Sequence, residues 1–236
     1  MTEHKIKNYM LSMQSHWCVN QNTYDKVQDS LPMITKFNAS LGTDKLEKTP
    51  VNKIIKKIHP DIYKVPLFRR QFCRMLVDEI KHMDFKTNDS EDTLRQIPEI
   101  ILHEKLPDLY RNMWYIVQTV LNPIFFSLWQ RHCANIGTIQ LANYNLKDKS
   151  QGAFHHDDSS DITVVVPLNT GDYKGGGTEF HNYGKIDPLP TGHALMFPSF
   201  HMMHKGLPVE SGDRYLLVFW LYDRARVEYL HQNGLP

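Results

Sequence analysis

The chain has 236 residues, 41% hydrophobic and 22% charged, enough apolar content for one buried core and too much for a disordered chain. Its 27 basic and 26 acidic residues leave a formal charge of +1, so composition offers no bulk attraction for nucleic acid or an anionic membrane. Three scattered cysteines, Cys18, Cys73 and Cys133, argue against a disulfide framework and a cysteine-based zinc site. The opening run MTEHKIKNYMLSMQSHWC lacks the apolar core of a signal peptide. No stretch reaches the roughly 18 apolar residues of a spanning helix. The expectation is a cytoplasmic protein with reduced thiols and no membrane contact.

Residues 1–60 are polar and mixed, and read as an N-terminal extension, partly helical, with the lysines of KTPVNKIIKKIHP on a solvated face. From Asp61 to the end the pattern is that of one domain. Phe68, Phe72, Met75, Leu76 and Ile80 recur at helical intervals and predict an amphipathic helix. TNDSEDTLRQ reads as a surface loop. LYRNMWYIVQTVLNPIFFSLWQRH predicts a long apolar helix, interrupted or ended near Pro123. After Cys133 the chain turns to strands. TIQLANYN alternates, with Ile139 and Leu141 on one face and Thr138, Gln140, Ala142 and Tyr144 on the other. DITVVVPLN, HALMFP and RYLLVFWLYD are further short strands, and GDYKGGGTEF supplies a glycine-rich turn. Helices followed by short strands predict an α+β fold, a β-sandwich or jelly roll backed by helices.

Histidine carries the chemical signal. AFHHDDSSDITVVVPLN places His155 and Asp157 two residues apart at the head of a strand, where alternate side chains share a face. HMMHKGLP offers a third ligand, His201 or His204. Two imidazoles and one carboxylate, with coordination positions left open, are the donor set of non-haem iron(II) oxygenases. Arg214 heads the apolar strand YLLVFWL, and a guanidinium buried there requires a carboxylate. An organic acid cosubstrate would supply one; the plainer alternative is a surface salt bridge to Asp213 or Glu210.

From Asn143 to Asp223 the chain resembles the catalytic domain of procollagen-lysine hydroxylases and, more distantly, prolyl 4-hydroxylases. The matching features are Tyr144 eleven residues before His155, then HHD, the strand ending in LN, DYKGGG with Phe180 following, and HKGLPVESGDRY before an aliphatic strand. A weaker match runs upstream through FCRMLVDEIKHM to about Asp61. The resemblance implies a double-stranded β-helix (a cupin-like jelly roll) with its core at about 136–224 and the N-terminal helices packed on its major sheet. It implies an iron(II)- and 2-oxoglutarate-dependent dioxygenase with iron held by His155, Asp157 and His204. Arg214 would bind the distal carboxylate of 2-oxoglutarate, with Tyr144 as a second donor to it. It also implies O2 as cosubstrate, ascorbate as a stimulant, and release of succinate and CO2. Lysine replaces the arginine in collagen prolyl 4-hydroxylases, so Arg214 leans toward hydroxylation of a lysyl side chain in a peptide or protein, with a prolyl side chain next. A homodimer is compatible with this reading, and nucleic acid is not favoured.

Two departures stand out. HHDDSSD is one residue longer than its counterpart, and residues 1–60 match nothing in the family. Two competing functions remain: the same chemistry on a nucleobase, nucleotide or small metabolite, and an inactive jelly-roll binding module. Among the remaining candidates, His156 is expected on the opposite face of the strand. His181 and His193 read as structural, Asp158 and Asp161 as acids able to attract a cationic side chain, and Gly175, Gly176 and Gly177 as a tight turn or bulge.

Overall fold

The computed structural model describes residues 16–36, 48–88, 96–158 and 160–233. The expected loop at 87–96 lies mostly outside these residues, as do 1–15 and 37–47 of the expected extension. Among the described residues no helix is long and apolar enough to cross a membrane.

In chain order the main elements are α1 (Gln21–Thr35), β1 (Lys56–His59), β2 (Ile62–Pro66), α2 (Arg70–Ile80), β3 (Glu99–Ile101), α3 (Pro107–Ile116), α4 (Asn122–Trp129) and β4 (Cys133–Tyr144). They continue with β5 (Ile162–Pro167), β6 (Lys174–Gly175), β7 (Thr178–Phe180), β8 (Gly184–Ile186), β9 (His193–Pro198), β10 (His204–Gly206), β11 (Val209–Ser211), β12 (Arg214–Asp223) and α5 (Arg224–Gln232). A seven-stranded antiparallel sheet runs β1-β2-β9-β5-β12-β4-β3, accompanied by a three-stranded sheet β10-β7-β8 and the two-stranded ribbon β11-β6. This is the double-stranded β-helix, with helices laid on the outer face of the major sheet.

The period-2 pattern explains the layering. On β4 and β12, Ile139, Leu141, Leu217, Phe219 and Leu221 point outward and share a core with Leu76, Ile80, Leu109, Met113 and Phe125 from the helices. Each fully buried side chain of this size contributes roughly 1.5–3 kcal/mol, so this interface dominates the fold's stability. The alternate positions Gln140, Ala142, Tyr144, Arg214, Leu216 and Val218 face the inside of the β-helix. A second apolar cluster, with Phe180 and Phe197 edge to face at 4.9 Å, ties the minor sheet to the major one.

The predicted apolar helix is α3 and α4 joined through a π-helical turn, Val117–Leu121. Pro123, in the first turn of α4, has no N–H to donate, and the widened turn absorbs that loss without breaking the axis. Residues 16–36 and 48–59 are integral to the structure: Val27 and Val51 are fully buried in the main core, and β1 pairs with β2 across residue 60. The division at that residue falls in a hairpin turn. Lys53, Lys56 and Lys57 are exposed.

Candidate metal and cosubstrate site

His155 and Asp157 lie in the connection between β4 and β5, and β5 itself begins at Ile162. The expected strand at this point is a single bridge: His155 N–H donates to the His204 carbonyl and His204 N–H to the His155 carbonyl, both at 2.9 Å. That reciprocal pair fixes the third side chain against the first two. His155 Nε2 lies 3.2 Å from Asp157 Oδ1, and His204 Nε2 lies 3.6 Å from Asp157 Oδ2. The imidazoles stand with centroids 4.5 Å apart. His201, by contrast, is exposed in the turn Ser199–His201 with its ring against Phe200.

Hydrogen bonds behind the cluster set its chemistry. His155 Nδ1 is 2.9 Å from the Ala153 carbonyl and His204 Nδ1 is 2.8 Å from the Met202 carbonyl. A carbonyl only accepts, so each Nδ1 carries the proton and each Nε2 turns its lone pair toward the other ligands. Thr163 Oγ1, on β5, donates to Asp157 Oδ2 at 2.6 Å. Burial pushes the His204 imidazole below its ordinary pKa, which keeps it neutral at pH 7. Burial opposes the charge of Asp157, but the neighbouring His155 and His204 and the hydrogen bond from Thr163 outweigh it, and the carboxyl lies below its usual range.

The cluster opens into a cavity of about 460 Å³ inside the β-helix, which Arg214 and Tyr144 also line. Arg214 is 3% exposed, and its Nε and Nη1 have no hydrogen-bond partner. Neither Asp213 nor Glu210 pairs with it. Tyr144 faces it across β12 and β4, with the guanidinium carbon 5.2 Å from the ring centroid. Burial raises the Tyr144 hydroxyl to about 12, so it stays protonated and able to donate.

No family model matches the chain. The human procollagen-lysine,2-oxoglutarate 5-dioxygenase 2 is 27% identical over 182 residues, 71% of this chain and 24% of that protein. The human multifunctional procollagen lysine hydroxylase and glycosyltransferase LH3 is 29% identical over 178 residues, 70% of this chain and 24% of that protein. The chain therefore spans about a quarter of the length of these curated relatives. Among solved structures, a prolyl hydroxylase from Trichoplax adhaerens in complex with a hypoxia inducible factor peptide fragment superposes with a TM-score of 0.54. The match covers 81% of this chain and 96% of that one at 16% identity. An oxidoreductase of the 2OG-Fe(II) oxygenase family from Burkholderia pseudomallei gives 0.52, covering 79% and 91% at 13% identity. These two likenesses concern the fold.

The chain resembles the 2-oxoglutarate-dependent lysyl and prolyl hydroxylases.

The donor set fits a ferrous ion. Metal–ligand bonds of about 2.1 Å meeting at right angles place neighbouring donors about 3 Å apart, close to the 3.2 Å between His155 and Asp157. Arg214 fits a diacid cosubstrate, because a buried guanidinium with two unpartnered nitrogens is stable only beside an anion.

The other candidates divide. His156 lines the cavity and does not point away, since the backbone here is not an extended strand. Asp158 lines it too, at an exposed position. Asp161 is committed elsewhere: it accepts from Asp223 N–H at 2.9 Å and from Arg226 at 3.4 Å. His181 packs edge-on against Phe154, and neither it nor His193 lines the cavity. Gly176 holds a φ of +76°, and a Cβ there would lie 3.1 Å from Arg214 Cδ, so the glycine run makes room for the guanidinium stem. Gly206 does the same for Tyr144, whose hydroxyl would stand 2.9 Å from an added Cβ. Sequence reasoning missed Thr163, which carries no motif of its own; the signal was its position six residues beyond Asp157 on an inward-facing strand position.

Proposed function

We propose that the chain is an iron(II)- and 2-oxoglutarate-dependent hydroxylase acting on a lysyl side chain, and next on a prolyl side chain, of a peptide or protein. The observation that carries this reading is the sharing of one cavity by the His155–Asp157–His204 cluster and the unpaired, buried Arg214. The relatives' own names, procollagen-lysine dioxygenases, support the lysyl side chain.

When bound, iron(II) and 2-oxoglutarate supply the oxidation: O2 is consumed, 2-oxoglutarate leaves as succinate and CO2, and an unactivated C–H bond becomes C–OH. The protein's part is placement. His155, Asp157 and His204 would hold the metal, and the backbone carbonyls of Ala153 and Met202 keep both imidazoles in the ligating tautomer. Arg214 would bind the far carboxylate of the cosubstrate, with the Tyr144 hydroxyl as a second donor. Leu216, Val218 and Val165 give the cavity apolar walls that limit water around the reacting centre. The cytoplasm as compartment belongs to the same proposal, supported by three cysteines that are all buried, free thiols.

The test is incubation with iron(II), 2-oxoglutarate, ascorbate and panels of lysyl peptides, prolyl peptides, nucleotides and metabolites. Succinate release and mass gain of one oxygen are the readouts. Peptide-stimulated succinate with oxygen on lysine is the expected result. Oxygen on a nucleobase or metabolite would move the substrate class, and no succinate with any panel would leave a binding module.

A further inference from the structure

We propose that Gln140 selects the substrate, its amide receiving the nitrogen of a lysyl side chain, an inference that rests on the hydroxylase reading above. Gln140 lies in the middle of β4, is 6% exposed, and lines the cavity. Its neighbours in sequence, Ile139 and Leu141, are turned into the helix-side core. Among the described residues the amide has no hydrogen-bond partner. Burying an amide costs free energy unless its hydrogen bonds are made, so the partner has to come from the cavity itself. The backbone of Gln140 is paired on both sides, with Val218 of β12 and Ile101 of β3, so the amide projects from a fixed strand.

The β12–β4 ladder grades the cavity from one end to the other. Its inward rungs are Arg214–Tyr144, Leu216–Ala142, Val218–Gln140 and Trp220–Thr138. The first rung is the anion anchor. At the last, Thr163 of β5 stands opposite Trp220 and holds Asp157 of the metal cluster. Between these ends Ala142, Leu216, Val218 and Val165 offer only apolar groups, and Gln140 breaks that stretch. Four residues of strand, about 13 Å, separate it from Tyr144. The four C–C bonds of a five-carbon diacid span at most about 6 Å, so a cosubstrate anchored at the first rung leaves the amide to the substrate. One strand, β12, separates β4 from β5, which puts Gln140 about 10 Å across the sheet from the strand of Thr163. A lysyl side chain passing the cluster matches this wall, with its methylenes on Leu216, Val218 and Trp220 and its ammonium donating to the amide oxygen. A prolyl ring has no donor to offer. Exposure rises again at the next rung, where Thr138 and Trp220 are half-buried, so the remaining ammonium hydrogens face the way out to water.

The experiment compares a lysyl peptide with the same peptide carrying norleucine at the target position, for wild type, Gln140→Met and Gln140→Glu. Kd is measured with 2-oxoglutarate and a redox-inert divalent metal, and kcat/KM with iron(II). Wild type should favour the lysyl peptide by about tenfold in both, the scale of one hydrogen bond to a charged group. Gln140→Met keeps the length of the side chain and removes the amide, so the preference should fall close to parity through weaker lysyl binding, with the 2-oxoglutarate KM unchanged. Gln140→Glu keeps the acceptor and should restore the preference. Equal handling of the two peptides by wild type, or a lysyl preference that survives Gln140→Met, overturns the proposal while the hydroxylase reading stands. A Gln140→Met protein weakened alike for both peptides, or for 2-oxoglutarate, also overturns it, as that marks a structural role. Succinate formed only with substrates other than lysyl peptides removes Gln140's role and leaves the oxygenase chemistry in place, whereas no succinate with any substrate defeats the reading on which it rests.

Discussion

Arg214 and Tyr144 are cross-strand partners at the end of the β12–β4 ladder, and the guanidinium lies over the phenol ring with its carbon 5.2 Å from the centroid. The ring supplies some attraction for the cation but no hydrogen-bond acceptor for its N–H groups. Two guanidinium nitrogens are thus left buried without partners in a protein whose other buried polar side chains are mostly satisfied. Such an arrangement costs stability in the free protein, and an anion bound there recovers it.

A measurable consequence follows for Arg214→Met. With the methylenes kept and the charge removed, the cosubstrate-free protein should melt at the same temperature or higher, because an uncompensated buried charge is gone. Wild type should gain thermal stability on adding 2-oxoglutarate with a redox-inert divalent metal, and the variant should not. The 2-oxoglutarate KM of the variant, read from succinate release, should rise by at least about tenfold, the scale of one or two charge-assisted hydrogen bonds. An unchanged KM would place the anchor elsewhere.

Thr163 sets the orientation of the Asp157 carboxylate that would meet the metal. Its hydroxyl donates to Oδ2 at 2.6 Å, directing that carboxylate from behind. Thr163→Val keeps the shape and removes the donor, and a lost second layer of this kind weakens metal binding about 10- to 100-fold. Iron(II) titration followed by turnover should show that loss, and Thr163→Ser should recover most of it.

Much of this was legible because side-chain alternation in a strand is local. The inward set of β4, from Thr138 to Tyr144, follows from a period of two, whereas His155 and Asp157 converge on a bridge and a turn and not on the strand their spacing suggested. Choosing His204 over His201 depends on the His155–His204 backbone pairing, which joins residues far apart in sequence, and only resemblance could anticipate it. The strand β3 was invisible for the same reason: it is three residues long, and its orientation comes from the pairing with β4. The N-terminal region misled by its composition. Thr23 and Ser30 are fully buried, with Thr23 Oγ1 donating to Pro66 O and Ser30 Oγ accepting from Val51 N–H. Hydrogen-bonded hydroxyls let a polar-looking helix pack where no hydrophobic period announces it.

His204→Ala and His201→Ala separate the two histidines directly. His204 closes the cluster with a buried imidazole, whereas His201 lies exposed outside the cavity. Loss of one of three protein ligands should abolish turnover and remove stoichiometric iron, measured by metal analysis. His201→Ala should keep both within about twofold, as expected of a surface change. The opposite pattern would reassign the ligand.

Gly176 gives the sharpest test of how the fold serves the cosubstrate. Its φ of +76° disfavours any Cβ, and the added methyl of Gly176→Ala would press on Arg214 Cδ at 3.1 Å and on the Tyr173 ring at 3.0 Å. The strain should cost about 1–2 kcal/mol of stability, seen in denaturant unfolding. If the glycine acts only on the turn, the 2-oxoglutarate KM will stay at the wild-type value. If it is there to seat the guanidinium, that KM should rise several-fold while iron binding at the His155–Asp157–His204 cluster is preserved, because nothing that positions the cluster passes through Gly176.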